Sequence, residues 1–494
     1  MRSLPLAIAA LLLGPAVAGG ADSLPEAVRS QDAASVAALL SARADVNAKL
    51  ADGSTALHWA VHNGDTELVA RLLKAGADAK AANDYGSTPM SEAAELGDAA
   101  LIKVLLKAGA DVESPNAEGQ TALMTVARSN HVDAALLLIK AGAKVNAVEQ
   151  WRGQTALMWA AAQGQPEMVR LLLKHHAEVD TRSSIRQWER KVTAEPRPQN
   201  RPNGGLTALL LAAREGCADC ARALVEAGAD KNLSDPDNIS PLLMATLNAR
   251  FDVASYLVKA GANADKWDTW GRGPLYSTID YNTTPRGGRP DRPSSDTTTA
   301  LELAEQLLKA GANPNLQLKL FPPYRSLGQD RGGDSMLTVG TTPLIRAAKA
   351  GDVEGVKLLL AHGALPDLPN QLGITPLMAA AGIGSTTIDI RGRFRDEKKC
   401  IEAGRLILAA GADINAARDN GQTATHGAAT WGWNGFVRFL ADSGANIDAR
   451  DRSGLTPLDV ATGKVITGRA GVSAPDPHPE TAALLQQLLA ARSK

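Results

Sequence analysis

Aromatic residues make up only 4% of the 494-residue chain, and cysteines number three. Three cysteines are too few for a disulfide-built scaffold. The formal net charge is −1, so the chain lacks the strong positive balance that nucleic-acid binding draws on. Beyond the opening residues no run of 18 apolar residues occurs, and with it goes any later spanning helix. No GxxxxGK[ST] phosphate loop, no HExxH and no GxSxG is present. The longest stretch outside the repeat described below is 317–340, far short of the roughly 50 residues a catalytic domain needs. Together these absences predict a chain that is not an enzyme, holds no cofactor or metal and binds no nucleic acid.

What is present begins at the first residue. MRSLPLAIAALLLGPAVAGG places Arg2 before an apolar run that Gly14-Pro15 breaks, and Ala16-Val17-Ala18 has the small-x-small form of a cleavage site. Residues 1–18 read as a secretory signal peptide, too short in apolar length to span a bilayer. The mature chain is expected to be exported, to the periplasm or beyond it, into an oxidising compartment.

A period of about 33 residues runs through the rest. GSTALHWAVHNGDTELVARLLKAGADAKA (53–81) is followed by GSTPMSEAAELGDAALIKVLLKAGADVES (86–114), and the opening Thr recurs at 55, 88, 121 and 155. Later copies start at Thr207, Ser240, Gly273, Thr342, Thr375, Thr423 and Thr456, making eleven, after a partial copy at 24–48. Thr before Pro, as at Pro89, Pro343, Pro376 and Pro457, predicts an N-cap with proline in the first turn of a short helix. Leu68-Val69 and Leu72-Leu73 give a second helix one apolar face. Glycine at 76, 109, 142, 228, 261, 311, 363, 411 and 444 predicts a left-handed residue that ends it. Arg43 and His176 stand at that position in other copies, so His176 reads as a turn residue.

Thr55-Ala56-Leu57-His58, Thr375-Pro376-Leu377 and Gly411-Ala412-Asp413-Ile414-Asn415 resemble the ankyrin repeat. The resemblance implies an all-α solenoid of helix–turn–helix units joined by short β-hairpin fingers, and no unit buries its apolar face alone. Its order would be an N-terminal cap repeat (19–50), repeats at 51–183, 203–316 and 341–451, and a C-terminal cap repeat (452–494). Five insertions interrupt it, at 184–202, 281–299, 317–340, 384–399 and 464–478, and read as loops. They carry +8 together against −9 for the remainder, which suits either solvated loops or a clamp on an acidic partner. The layout also resembles exported ankyrin-repeat proteins of environmental bacteria.

In that family a concave face is made by the first helices and the fingers, and its function is to bind a protein or peptide. By position the resemblance places Trp59, His62, Glu92, Glu95, Arg128, Trp159, Gln163, Leu211, Arg214, Met244, Leu247, Arg346, Lys349 and Trp431 on exposed first-helix sites. It places Tyr85, Trp151, Arg152, Trp267 and Trp270 on fingers. Trp and Arg are the residues most enriched among binding hot spots. The expectation is a monomeric scaffold that captures an exported protein or peptide in an accessory, protective or inhibitory (immunity) role. The rival reading is a thiol–disulfide active protein using Cys217 and Cys220, and a glycan or cell-wall binder using the tryptophans is the third.

Cys217 and Cys220 form a Cys-x-x-Cys pair at the start of the second helix of one repeat. No second pair completes a zinc site, and Ala221 stands where haem attachment needs His. A local disulfide, two unpaired thiols and a thiol–disulfide active site all remain open, the helix start favouring a thiolate. Cys400 is expected to be a lone thiol.

Overall fold

A computed structural model describes residues 23–116, 118–190, 199–283, 296–320, 338–383, 396–464 and 476–492. The signal peptide read from the sequence and the middle of each insertion lie outside these residues. The chain forms two compact units, one running to Ala160 and taking in Lys174–Ala177, the other holding Ala161–Leu173 and Glu178 onward.

Each repeat builds its helices from local signals. Thr55 N-caps the helix Ala56–His62, and its backbone N–H donates to His58 Nδ1 at 3.1 Å. His58 Nε2 then donates to the carbonyl of Ser87 at 3.0 Å, in the next repeat. A carbonyl only accepts, so His58 is the neutral Nε2–H tautomer. His426 repeats this between Thr423 and Leu455 (3.2 and 3.1 Å). The second helix, Thr66–Lys74, is capped by Asp65, whose Oδ1 accepts from Leu68 N at 2.8 Å. It buries Leu68, Val69 and Leu72 and turns Lys74 out in its last turn. Burial of each such side chain stabilises by about 1.5–3 kcal/mol. Gly76 follows at φ 97°, and every glycine at this position has positive φ, as do Arg43 (55°) and His176 (64°).

The end of the motif, Asp-x-Asn, has its own task. Asn47 Oδ1 accepts from Asp78 N (2.8 Å) while its amide donates to Gly76 O (3.1 Å), so one carboxamide ties a repeat to the next. Asn315 does the same with Leu365 N and Gly363 O. The fingers are tight turns closed by paired backbone bonds, such as Asn83 N to Ser87 O (3.0 Å) with Gly86 N to Asn83 O (2.9 Å), or Asp235 N to Ile239 O (3.1 Å) with Asn238 N to Asp235 O (3.0 Å). Inside the turn one side-chain oxygen accepts two backbone N–H groups: Asn83 from Tyr85 and Ser87, Asp235 from Asp237 and Ile239.

In the first unit the helices Leu24–Arg29, Ala56–His62, Pro89–Leu96 and Ala122–Arg128 pack in sequence, and Thr66–Lys74, Ala99–Lys107 and Val132–Lys140 stack behind them. The second unit repeats the scheme, with first helices from Ala208–Glu215 to Pro457–Ala461 and second helices from Ala218–Glu226 to Pro479–Arg492. The core is the seam between the two rows.

Three insertions are shorter or more ordered than loops. In 184–202, β1 (Arg186–Arg190) pairs antiparallel with β2 (Gln199–Asn203), Arg186 facing Asn203. The helix Pro274–Thr283 carries into the second, and Glu397–Ala409 begins inside the fourth. Here Asp396 Oδ1 accepts from Lys399 N (2.8 Å) and starts the helix before the expected boundary.

Candidate partner-binding face

On the first unit the expected first-helix residues form one connected strip. Arg29 lies over the Trp59 ring at 5.9 Å, and Trp59 meets His62 edge-on at 5.5 Å. His62 Nδ1 is 3.5 Å from Glu92, one repeat on. Arg128 pairs with Glu95 at 3.1 Å and lies over Trp159 at 5.8 Å. These links are solvent-exposed or half-buried, so each ion pair contributes at most about 1 kcal/mol; what they do is hold long side chains in place. Trp59 and Trp159 are half-buried, and their indole N–H groups have no hydrogen-bond partner among the described residues. Arg29 was not among the residues expected here. It sits in the last turn of the partial repeat, one copy before Trp59.

The fingers of this unit carry the open aromatics. Tyr85 is 73% exposed and Trp151 50% exposed, with Arg152 stacked on the Trp151 ring at 5.4 Å. Buried Glu149 sets this finger: its carboxylate accepts from the backbone N–H groups of Trp151 (2.6 Å), Arg152 (2.6 Å) and Gln154 (3.0 Å). Val148 beside it is also exposed.

The second unit departs from expectation. Trp270 is 5% exposed and Lys349 3%, and Leu211 and Met244 are buried as well. None of these four presents a free surface. The start of the 317–340 insertion docks on this finger, where the Lys319 and Leu320 N–H groups donate to Trp270 O at 2.8 and 3.2 Å. Lys319 also covers the Trp267 ring, Nζ 3.3 Å from its centre. Asp268 and Arg272 form a buried pair at 2.7 Å beneath, with Arg272 over Trp270 at 5.1 Å. Arg346 is largely buried and bound to Asp280 at 2.9 Å. Trp431 is half-buried and donates its indole N–H to Gly382 O at 2.9 Å, and Arg214 pairs with Glu215 at 3.0 Å. Leu211, Met244 and Lys349 lie in first helices and are buried in the array.

Cys217 and Cys220 are joined as a disulfide with Cα atoms 5.2 Å apart, and Cys400 is buried and takes no part in the bridge. His58 cannot share a ligand with His62, because its ring nitrogens are engaged by Thr55 and, in the next repeat, by the Ser87 carbonyl.

A family model described as ankyrin repeats in three copies matches residues 24–116, 92–183, 191–280, 297–388 and 397–468. The chain belongs to the ankyrin-repeat family. Among similar proteins, E3 ubiquitin-protein ligase KEG of Arabidopsis thaliana is 28% identical over 276 residues, covering 52% of this chain and 16% of that protein. Ankyrin repeat and SOCS box protein 16 of Homo sapiens is 30% identical over 255 residues, covering 51% and 46%. The solved human ASB11 ankyrin repeat domain aligns with a TM-score of 0.40 at 21% identity, covering 48% of this chain and 96% of that one. The chain spans less than half the length of these curated relatives. Ankyrin arrays are typically non-catalytic, and they bind protein partners. Among the described residues no helix of this array is long and apolar enough to cross a membrane.

Proposed function

We propose that this ankyrin array is a non-catalytic, exported interaction scaffold. It captures a protein or peptide on the strip from Arg29 to Trp159 and the adjoining fingers at Tyr85 and Trp151. The observation that carries the reading is Trp151: half exposed, stacked under Arg152, and carried on a finger whose backbone a buried glutamate fixes by accepting three N–H donors. An aromatic fixed in the open in this way costs no ordering entropy when a partner covers it. Residues 1–18 support export, as does a cysteine pair whose bridge persists most readily in an oxidising compartment. In a bacterium that places the scaffold in the periplasm, where it would shield or inhibit another exported protein.

The test uses the mature chain as bait on the native exported fraction, beside Trp151→Ala and Tyr85→Ala baits. Both side chains stand outside the core, so the variants are expected to melt with the parent. A partner retained by the parent and reduced at least tenfold by Trp151→Ala, in line with a hot spot of about 2 kcal/mol, supports the reading. Equal recovery by all three baits would refute it.

A further inference from the structure

We infer that Cys217–Cys220 is an exchange site for small thiols and disulfides, with Cys217 the sulfur that is attacked. This goes beyond the capture of a partner and does not depend on it.

The first observation is what other repeats place at the same position. Cys217 is the N-cap of the helix Ala218–Glu226, and its Sγ accepts from Cys220 N at 3.2 Å. In three other repeats that N-cap is an aspartate: Asp65 accepts from Leu68 N (2.8 Å), Asp98 from Leu101 N (3.1 Å) and Asp352 from Gly355 N (3.1 Å). Those repeats place an acceptor there, against the open N–H groups and positive end of the helix, while His131, Arg250 and Trp433 hold the seat in others. A cysteine in that seat is stabilised as a thiolate once the bridge opens.

The second observation is a buried cation. Arg250 is 9% exposed, and its Nε has no hydrogen-bond partner among the described residues. Its side chain lies across Gly216, where an added Cβ would come within 2.7 Å of Cδ and 3.0 Å of Nε. Gly216 immediately precedes Cys217, so the Arg250 side chain, with no ion-pair partner within 4 Å among the described residues, crosses the turn that leads into the cysteine's helix.

The third is asymmetry of access. Cys217 is half-buried, whereas Cys220 is fully buried at a core position held by Leu68 and Leu101 in other copies. An incoming thiolate meets Cys217 Sγ first. It bonds to that sulfur, the S–S bond breaks, and the electron pair leaves on Cys220, which takes a proton. A second thiolate attacks the small-thiol sulfur of the mixed disulfide and expels Cys217 as thiolate. Two thiols become one disulfide, and the protein gains two electrons. Stabilising the departing thiolate makes a bridge more oxidising.

The full-length chain is reduced, desalted and alkylated with iodoacetamide at pH 6.5, with each cysteine followed by peptide mass spectrometry. Cys217 is expected to react at least tenfold faster than free glutathione under the same conditions, and Cys220 and Cys400 to stay unlabelled. The oxidised chain given reduced glutathione is expected to carry a transient adduct on Cys217. Cys220→Ala keeps the fast thiol without the bridge, and Arg250→Met slows it several-fold. Cys217→Asp restores the cap used elsewhere, so it is expected to fold and take up no glutathione. A Cys217 no faster than glutathione, in the parent or in Cys220→Ala, overturns the proposal. So does an adduct on Cys220, or a purely structural bridge that glutathione leaves untouched.

Discussion

A carboxylate and a carboxamide fill the same seat in different fingers. Asn83, Asn116 and Asn370 each accept two backbone N–H groups, and Asp235 does the same with a charge it has to bury. Burial pushes the Asp235 carboxyl up to about 6 from 3.8. Between those values the folded chain holds a proton that the unfolded chain has lost, so stability falls as pH rises through that window. Above it the ionised carboxylate is a cost. Asp235→Asn keeps both acceptor bonds and removes the charge. It is expected to raise stability at pH 7.5 by about 1 kcal/mol after allowance for solvent and to change little at pH 4.5, as urea melts at the two pH values would show. His58 and His426 work the other way. Burial holds both below the usual imidazole value of 6.5, so their folded forms are neutral. The unfolded chain binds those protons first as pH falls below 6.5, and the stability they supply is lost through that range. Replacing both with Gln is expected to cost about 1–2 kcal/mol at pH 7.5 through the lost inter-repeat bonds and to flatten the melting temperature between pH 7 and 5.

At the scale of the element, helix ends separate two demands on glycine that look alike in sequence. Gly76 needs only its positive φ, because a Cβ there would meet nothing within 4 Å. Gly216 needs the φ (90°) and the space that Arg250 occupies. Gly76→Ala is expected to cost roughly 1–2 kcal/mol, and Gly216→Ala distinctly more, by urea unfolding of the full chain. The first demand was legible from the period alone, which is why every helix-ending glycine, and His176 in the same place, has the expected positive φ. The second was not, because it depends on which side chain the next repeat lays across the turn. The same division explains the tryptophans. Trp151 and Trp270 hold like places in their fingers, yet one is half exposed and the other buried. A repeat template fixes where a residue sits along the finger. Glu149 and Asp268 fix the two fingers alike, so the template is blind to the difference, which lies in the chain at Lys319 and Leu320 that docks on the Trp270 finger alone.

For the whole molecule, stability in such arrays is the sum of each repeat and its contacts with its neighbours. Its most exposed debt therefore lies where a neighbour is removed. In the second unit the helix Pro479–Arg492 packs on Asn434–Asp442. Arg492 reaches back to donate to the carbonyls of Ala441 and Ala445 (2.6 and 2.7 Å), and Thr481 donates to Asn434 Oδ1 (2.7 Å). The repeat beneath buries Phe436, Val437 and Leu440 completely. Deleting residues 452–494 would uncover part of this set and leave the last helix-terminal carbonyls without donors. At about 1.5–3 kcal/mol for each apolar side chain returned to water, the repeat containing Trp431 and Phe436 loses its reason to fold. Its unfolding would in turn expose Cys400, which lies buried in the preceding second helix. The truncated chain is expected to show an added low-temperature unfolding step, to self-associate by light scattering, and to become reactive at Cys400. A truncated chain that melts in one step with the parent and keeps Cys400 protected would mean that the repeat ending at Asp451 is stable without its neighbour.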